Sequence, residues 1–307
     1  MSELPGIAVV TPSFDAVRYI SSTIQSVLDQ EYPRLDYLVM DGGSLDGTSR
    51  VLESFGSRIR FVSRKDQGQA DAIRTGFEQT HGEILTWLNA DDTFAPGALN
   101  KVAAFFAAHP DVALVYGNAN YIDAAGRVIA PCVHIEPFNP RRLYHYSDFI
   151  VQPAAFFRRS AYEAVGGLDP TLHYGMDYDL WIKLARQFKV AYLPEHLANY
   201  RWLTDNKTAL GGFRRIDELA MILQRHGFTE PAYVRLERVN LLLQESRSSL
   251  RKRELGRSMR SCFSALGNLA ASPRAMLSLL QPRTWKIIWT GQVLRARAAR
   301  AHAGLAE

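Results

Sequence analysis

Two adjacent carboxylates, Asp91 and Asp92, directly follow an apolar run in the stretch EILTWLNADDTF. Asn and Asp commonly end strands and begin turns, so the pair has an ordinary structural explanation. The other explanation is chemical, because hard divalent cations prefer carboxylate oxygens as ligands. This stretch alone does not decide between the two, and residues elsewhere in the chain must.

Three earlier segments have a similar composition: TPSF at 11–14, DGGSLDGT at 41–48 and DQGQADA at 66–72. Each follows an apolar run that predicts a strand, and each is small, glycine-rich or acidic. In an open sheet with crossover helices, the carboxyl ends of the strands converge on one crevice, where ligands bind. Four such segments at consecutive strand ends therefore predict one binding site rather than four unrelated turns.

The absence of two common nucleotide-binding motifs limits the classes of ligand that such a site could bind. It has no G-x-G-x-x-G after the first strand and no Walker A sequence, so a standard dinucleotide or P-loop site is excluded. Phosphates beside so many carboxylates would be repelled unless Mg²⁺ or Mn²⁺ bridged the two. The carboxylates therefore favour a diphosphate ligand with a divalent cation.

The elements that must position these segments alternate between strand and helix over the first 118 residues. The predicted strands are Ile7–Thr11, Tyr37–Met40, Ile59–Ser63, Ile84–Leu88 and Leu114–Gly117, and the predicted helices are Tyr19–Asp29, Thr48–Phe55, Gln69–Thr80 and Gly97–His109. This alternation predicts an α/β fold with a mostly parallel, Rossmann-like sheet covered by helices on both faces.

Beyond Asn118 the pattern changes. The later predicted elements are a hairpin turning at Asp123–Gly126, a strand at Ala154–Arg158, a helix near Ser160–Val165 and a helix from Asp177. From about Gly211 the chain reads as almost wholly helical. We therefore predict a domain of residues 1–210, with halves 1–118 and 119–210, and a helical C-terminal extension of residues 211–307.

Taken together, the motifs resemble those of the inverting glycosyltransferases of family 2, which have the GT-A fold. The resemblance runs from about Ile7 to Thr208 and is carried by VVTPSF, VMDGGSLDGT, DQGQADAIRTGF, ILTWLNADD and GMDYDLWIKLA. It implies transfer of a sugar from a nucleotide-sugar donor to a hydroxyl of a glycan or lipid-linked glycan acceptor. It also implies a divalent metal, Mn²⁺ or Mg²⁺, and UDP is the nucleotide that we expect.

The resemblance also implies which residues form the site. The nucleotide-binding positions are Pro12, Phe14, Asp41, Asp66, Arg74, Asn89 and Ala90, and the acceptor-binding positions are Gln152 and Tyr174. NADD is similar to the D-x-D motif of the family, with Asp91 as the metal ligand and Asp92 as the second choice. Asn89 replaces the first acid of the motif; it can hydrogen-bond a ribose hydroxyl but brings no charge.

Asp177 falls on the position of the family's catalytic base, at the start of the helix in YGMDYDLWIKLARQF. The resemblance implies that Asp177 accepts the proton of the attacking hydroxyl in one in-line displacement, while the metal neutralises charge on the departing diphosphate. Asp is also favoured as an N-cap, and Asp177 could serve both roles. Asp179 lies on a different face of the helix and is expected to interact with the helix N-terminus.

Three positions depart from the family pattern: Asn89, Met176 in place of an acid, and Leu203 where many relatives have a metal-binding His. They support an alternative function, a nucleotide-sugar or glycan binding module without catalysis. A nucleotidyltransferase is a further alternative, although TPSFDAVRY is not the Gly- and Arg-rich phosphate loop that such enzymes use. Two interpretations of Arg74 stay open, a contact with phosphate or base and a cover for the helix surface.

The basic residues of the chain are concentrated near its C-terminus. Residues 244–307 contain 12 Lys and Arg against 3 Asp and Glu, although the whole chain has a net charge of only +5. Trp285, Ile288, Trp289 and Val293 recur there at helical spacing beside basic residues, which predicts peripheral contact with a membrane. Packing of this segment on the catalytic domain or on a second subunit is the open alternative. We expect no nucleic-acid partner, because aromatic residues for stacking are few.

Hydropathy and cysteine content indicate where the protein resides. No apolar run approaches the roughly 18 residues of a membrane span, and MSELPGIAVVTPSF has no secretory pattern. Cys132 and Cys262 fit a reducing compartment. We expect a cytoplasmic protein, with or without peripheral contact to the inner face of the membrane, and a homo-oligomer is left open.

Overall fold

A computed structural model describes residues 4–145, 148–203, 207–229 and 232–270. The chain divides into two compact units. The sheet unit lies within residues 1–138 and 150–202, and the helical unit lies within residues 139–149 and 203–307. The domain limits expected from the sequence stay a prediction.

The strands of the described residues form one nine-stranded sheet in the sheet unit. They are β1 (Ile7–Ser13), β2 (Leu35–Asp41), β3 (Arg60–Ser63), β4 (Ile84–Trp87), β5 (Thr93–Phe94), β6 (Val112–Ile122), β7 (Val128–Pro131), β8 (Ala155–Arg158) and β9 (Lys189–Arg201). Their order is β3-β2-β1-β4-β8-β6-β9-β5, with β7 paired to β6.

The first four strands of this order, β3, β2, β1 and β4, are parallel, as the strand–helix alternation predicts. Their register places Ser13 beside Asp41 and Asp41 beside Ser63, so the carboxyl ends of β1, β2 and β3 are level. The segments that follow these strands consequently share one edge of the sheet. The second half is mixed, because β8 runs antiparallel to both β4 and β6.

The predicted hairpin is confirmed, since β6 and β7 pair antiparallel on either side of a turn after Ile122. The long strand β9 was not predicted. It pairs parallel with β6, and the pairing shifts register around Gly117 and Asn118, opposite the segment that contains Pro194 and Glu195. Exposed polar residues in that segment interrupt the alternation of apolar residues by which a strand is recognised in a sequence.

Helices of the sheet unit cover this sheet. They are α1 (Ile20–Leu28), α2 (Thr48–Ser54), α3 (Gln69–Glu78), α4 (Ala98–Ala108), α6 (Arg159–Ala164) and α7 (Met176–Gln187). Apolar residues at helical spacing face inward; in α3 these include Ile73 and Phe77. In the core, the rings of Trp87 and Trp181 stack with their centroids 5.8 Å apart.

The helical unit confirms the helices expected after Gly211 as far as Ala270, where the described residues end. Its helices are α5 (Pro140–His145), α8 (Lys207–Leu210), α9 (Gly212–Arg225), α10 (Ala232–Arg251) and α11 (Leu255–Ala270). Over the part of the chain that the structure describes, no helix combines the length and apolar character that crossing a membrane requires. The predicted membrane-contact segment around Trp285 lies outside the described residues.

Candidate active site

The loops after β1 and β2 are hydrogen-bonded to each other at the carboxyl edge of the sheet. Ser44 Oγ accepts a hydrogen bond from Asp15 N at 2.8 Å, and Asp15 Oδ1 accepts one from Leu45 N at 3.0 Å. Asp15 has a φ of +47°, a left-handed conformation that Asp tolerates better than most residues. The first two predicted segments therefore form one connected structure.

The third segment joins them at Gly42. A Cβ at this position would lie 2.9 Å from Asp66 Oδ2 and 3.2 Å from Phe14 Cδ2, so only glycine allows these two side chains to approach the backbone so closely. Phe14 is 67% exposed, which leaves an aromatic face available for stacking. Asp66 is held by a hydrogen bond from Gly68 N to its Oδ1 at 2.8 Å.

A cleft of about 450 Å³ opens where β2 ends and α3 begins. Its lining residues are Met40, Asp41, Arg64, Lys65, Asp66, Gln67, Asp71, Ala72 and Thr75. Two predicted nucleotide-binding residues, Asp41 and Asp66, therefore line the same cleft. Sequence reasoning missed Arg64 and Lys65, two cations that directly precede the DQGQADA segment and supply positive charge beside the acids.

Asp41 organises the loop that follows β2. Its side chain is buried and accepts hydrogen bonds from Ser44 Oγ at 2.5 Å, Ser63 Oγ at 2.6 Å and Ser44 N at 3.1 Å. These bonds fix the end of β2 to the end of β3. Asp41 thus has a structural role in addition to the nucleotide-binding role predicted for it.

Asn89 lies at the centre of a network of amide side chains after β4. Its Oδ1 accepts from Gln69 Nε2 at 2.8 Å, and its Nδ2 donates to Gln152 Oε1 at 3.1 Å and Asp92 Oδ2 at 3.3 Å. Gln152 Nε2 in turn donates to the carbonyl of Trp87 at 2.7 Å. An ionised Asp at position 89 could not donate these bonds, which is a physical reason for Asn in place of the first acid of the motif.

The two acids of the turn have different environments. Asp92 is buried, and its Oδ1 accepts from the backbone nitrogen of Arg201 at 2.8 Å. Burial and the neighbouring Asp91 carboxylate raise the pKa of Asp92 above its ordinary value. Asp91 is only half-buried, so it is the more accessible of the two carboxylates.

Arg201, at the end of β9, holds this turn and was missed as a site residue. The buried side chain donates from Nε to the carbonyl of Asp91 and from Nη1 to the carbonyl of Asp123, both at 2.7 Å. Its guanidinium also lies over the ring of Tyr19, 4.8 Å from the centroid. The strand that ends at Arg201 was itself not predicted, and nothing local connects this arginine with a turn 110 residues earlier.

The two acids of α7 also differ, as their spacing predicts. Asp177 lies in the first turn, half-buried, and its Oδ1 accepts from Tyr178 N at 2.8 Å. Gly175, rather than Asp177, occupies the N-cap position. Asp179 is buried and forms an ion pair with Lys183 at 2.8 Å. The helix packs into the core through Leu180, Trp181 and Leu184, which are fully buried.

The remaining predicted residues are distributed around these groups. Pro12 and Ala90 are buried, and the Ala90 carbonyl accepts from Thr23 Oγ1 at 2.9 Å. Arg74 lies on α3, where its positive charge opposes the rise that burial produces in the pKa of Tyr162. Tyr174 is half-buried just before α7. The roles of all the predicted site residues stay predictions.

The family of the chain follows from comparison with known proteins. The model of glycosyl transferase family 2 matches residues 8–166, more than half of the chain. This range includes the strand-end segments described above. The chain belongs to glycosyl transferase family 2.

Individual relatives are more distant. Chondroitin synthase from Escherichia coli is 26% identical over 188 residues, which cover 60% of this chain and 27% of that protein. The matching regions span between 27% and 32% of the length of the first three curated relatives.

Solved structures agree with the chain in fold. The mannosyltransferase PcManGT from Pyrobaculum calidifontis, in complex with GDP-Man and Mn²⁺, has a TM-score of 0.61 at 18% identity and covers 97% of this chain and 87% of that one. S. aureus TarS 1-349 in complex with UDP-GlcNAc has a TM-score of 0.57 at 14% identity, covering 84% of this chain and 91% of that one. The α/β sheet with its helices is thus the GT-A fold that the sequence predicts.

Proposed function

We propose that this glycosyltransferase is an inverting, metal-dependent enzyme that transfers a sugar from a nucleotide-sugar donor to a hydroxyl of a glycan or lipid-linked glycan acceptor. The observation that carries the proposal is the meeting of the strand-end segments at one edge of the sheet. Phe14, Asp41 and Asp66 come together there around Gly42. Open α/β sheets bind ligands at this edge.

The donor nucleotide is proposed to bind beside Phe14 and in the cleft after β2. An exposed aromatic ring can stack on a flat base, and the Asp66 carboxylate can accept hydrogen bonds from the base edge. Pro12, Asp41, Arg74, Asn89 and Ala90 complete the proposed nucleotide site. UDP is the proposed nucleotide; UDP-GlcNAc and GDP-Man are bound by the two structural relatives.

A divalent metal is proposed to bind at Asp91. Among the described residues, no group of three or more His, Cys, Asp or Glu side chains could hold a metal ion. Asp91 is half-buried, whereas Asp92 is buried. One carboxylate fits Mg²⁺, which keeps several waters and often shares its sphere with substrate phosphates. A bound metal would neutralise charge on the departing diphosphate.

Asp177 is proposed as the base that accepts the proton of the acceptor hydroxyl, with Tyr174 and Gln152 at the acceptor site. Asp177 lies in the first turn of α7, and its carboxylate is half-buried. Inversion needs one displacement and one base, whereas retention through a covalent intermediate needs a carboxylate nucleophile as well. Gln152 also supports Asn89 through its amide.

The test begins with UDP-, GDP- and dTDP-sugars, with Mn²⁺ or with a chelator, in thermal-unfolding measurements. A donor at about 100 times its Kd stabilises the folded state by about 2.7 kcal/mol. The selected donor is then incubated with candidate acceptors, and the anomeric configuration of the product is read by NMR. Retained configuration would overturn inversion. Donor binding with neither transfer nor hydrolysis would favour the alternative function, a nucleotide-sugar binding module without catalysis. Turnover that the chelator does not affect would show that the reaction needs no metal.

Peripheral membrane contact through residues 285–300 and a cytoplasmic location are part of the same proposal. Both rest on the basic and aromatic pattern of the sequence, and lipid-linked acceptors would make such contact useful.

A further inference from the structure

Helix α11 exposes its large apolar side chains. Leu255, Met259, Phe263 and Leu266 are between 58% and 67% exposed. At about 100° per residue, spacings of four, four and three residues place them on one stripe of the helix. We call these four residues the α11 stripe. An exposed apolar surface of this kind commonly marks a site of contact with another surface.

A different face of α11 packs against α10. This packed face is made of small side chains, with Ser258, Ser261 and Ala265 buried. Ser258 and Ser246 of α10 lie within hydrogen-bond distance at 3.0 Å, and Ser261 Oγ donates to Glu245 of α10 at 3.1 Å. The pairing of the two helices therefore does not use the α11 stripe.

Three consecutive exposed cations mark the end of α10 and the turn that follows it: Arg251, Lys252 and Arg253. Arg253 has a φ of +62°, and Glu254 N donates to the carbonyl of Ser249 at 2.8 Å, which is the hydrogen bond of a Schellman motif. Glycine is the usual residue at this left-handed position. The chain has an arginine there, so the position adds a charge to the turn where conformation alone would favour glycine.

The distribution of charge decides what fits this surface. Residues 247–266 contain six Lys and Arg and one acid, and residues 271–307 also contain six and one. The C-terminal segment and the same face of a second copy would therefore both bring like charge. An anionic lipid surface offers the opposite charge and an apolar interior, the combination that interfacial helices with aromatic and basic residues use. Nucleic acid offers no counterpart to an apolar stripe with a single aromatic ring.

We propose that the α10–α11 hairpin docks on an anionic lipid surface. The α11 stripe enters the boundary between headgroups and acyl chains, and Arg251, Lys252 and Arg253 contact the headgroups. This surface is distinct from the predicted segment around Trp285. It is also independent of the catalytic proposal, because lipid binding requires neither donor nor acceptor.

The test measures flotation of the full chain with vesicles of pure phosphatidylcholine and with vesicles of equal parts phosphatidylglycerol and phosphatidylcholine. We expect binding to the anionic vesicles that weakens with salt. Met259→Ser with Phe263→Ser removes apolar surface and should lower partitioning at least tenfold. Neutralising Arg251, Lys252 and Arg253 with Gln should lower it by about 100-fold, since each cation near anionic lipid contributes about fivefold.

Matched variants lie in the sheet unit. Val128→Ser removes an apolar side chain that is 62% exposed, and neutralising the exposed Arg50, Arg58 and Arg127 with Gln changes net charge equally. Both controls should bind vesicles like the parent chain, and thermal unfolding verifies that every variant is folded. The proposal is overturned if the parent chain does not float at low salt, or if hairpin and control variants bind equally. Binding to duplex DNA in place of vesicles, or a stripe-dependent dimer that does not float, would also overturn it.

Discussion

In the sheet unit, Trp87, Phe157 and Trp181 pack ring against ring in a buried core, whereas α11 of the helical unit buries serines and alanine and exposes Phe263. The glycines differ in the same sense. A Cβ at Gly82 would overlap the backbone nitrogen of Ala8, but one at Gly267 has no atom within 4 Å. In the sheet unit, close packing restricts which side chain can occupy a position. In this part of the helical unit, the positions face solvent and can accept side chains of different sizes.

The largest effect should follow from the removal of one carboxylate in the sheet unit. Asp177→Asn is expected to lower the rate of transfer by about 10²–10⁴-fold, because the acceptor hydroxyl loses its base, while donor affinity is retained. Initial rates and donor calorimetry measure the two effects. The matched change is Asp217→Asn in the helical unit, where the exposed Asp217 carboxylate pairs with the half-buried Arg238, and it should leave transfer unchanged. More than a tenth of parental transfer in Asp177→Asn would exclude it as the base.

Two arginines, one in each unit, test whether a buried charge contributes more to stability than an exposed one. Arg201→Met removes a buried cation and its donors and should lower the free energy of unfolding by about 3–5 kcal/mol. Arg257→Met removes an exposed guanidinium that pairs with the half-buried Glu245 at 3.0 Å in the helical unit, and it should cost less than about 1 kcal/mol. Urea unfolding of both variants gives the two values. Similar losses of unfolding free energy in the two variants would contradict the expectation that the buried Arg201 contributes more to stability than Arg257.

Two glycines test packing itself. Gly82→Ala should lower the free energy of unfolding by about 3 kcal/mol, because the added methyl group must displace the backbone of β1. Gly267→Ala, near the end of α11, should raise it by up to about 1 kcal/mol through helix propensity. Thermal unfolding should show that the two substitutions change the free energy of unfolding in opposite directions. A loss of stability in Gly267→Ala would instead indicate contacts on that face of α11.

Within the sheet unit, the adjacent acids should separate binding from stability. Asp91→Ala is expected to weaken Mn²⁺-dependent binding of a nucleoside diphosphate by about tenfold or more, whereas Asp92→Ala chiefly lowers stability because it leaves the Arg201 backbone donor without its acceptor. Calorimetry with and without Mn²⁺ measures the first effect. If Asp92→Ala loses as much binding as Asp91→Ala, or more, the proposal that Asp91 is the metal ligand is wrong.

The smallest perturbation is chemical labelling of the two cysteines, one in each unit. Cys262 is exposed and should react with a maleimide in the folded protein. Cys132 is buried, and burial raises the pKa of its thiol, so the reactive thiolate is scarce and inaccessible. Intact-mass measurements should show one label before unfolding and two after it. Rapid double labelling of the native chain would show that the sheet unit opens more readily than its packing implies.

Most of the parallel half of the sheet could be predicted, because β1, β2 and β4 are short, mostly buried runs followed by turn-forming residues. The hairpin after Ile122 could also be predicted, because its strands and turn are adjacent in the sequence. β9 was not predictable, since its pairing with β6 shifts register and its middle is polar and exposed. The antiparallel place of β8 between β4 and β6 also escaped prediction, because periodicity identifies a strand but not its partner.

The sequence by itself determined most of the elements, the family and the order of the strand-end segments, because propensity, periodicity and motif spacing act over a few residues. Only the tertiary structure decided that Asp92 turns inward while Asp91 stays accessible, and that Asn89 connects Gln69 with Gln152. It also decided that Arg201 holds a turn 110 residues away along the chain. Hydrogen bonds and burial depend on which groups meet in space, and local pattern does not encode those meetings.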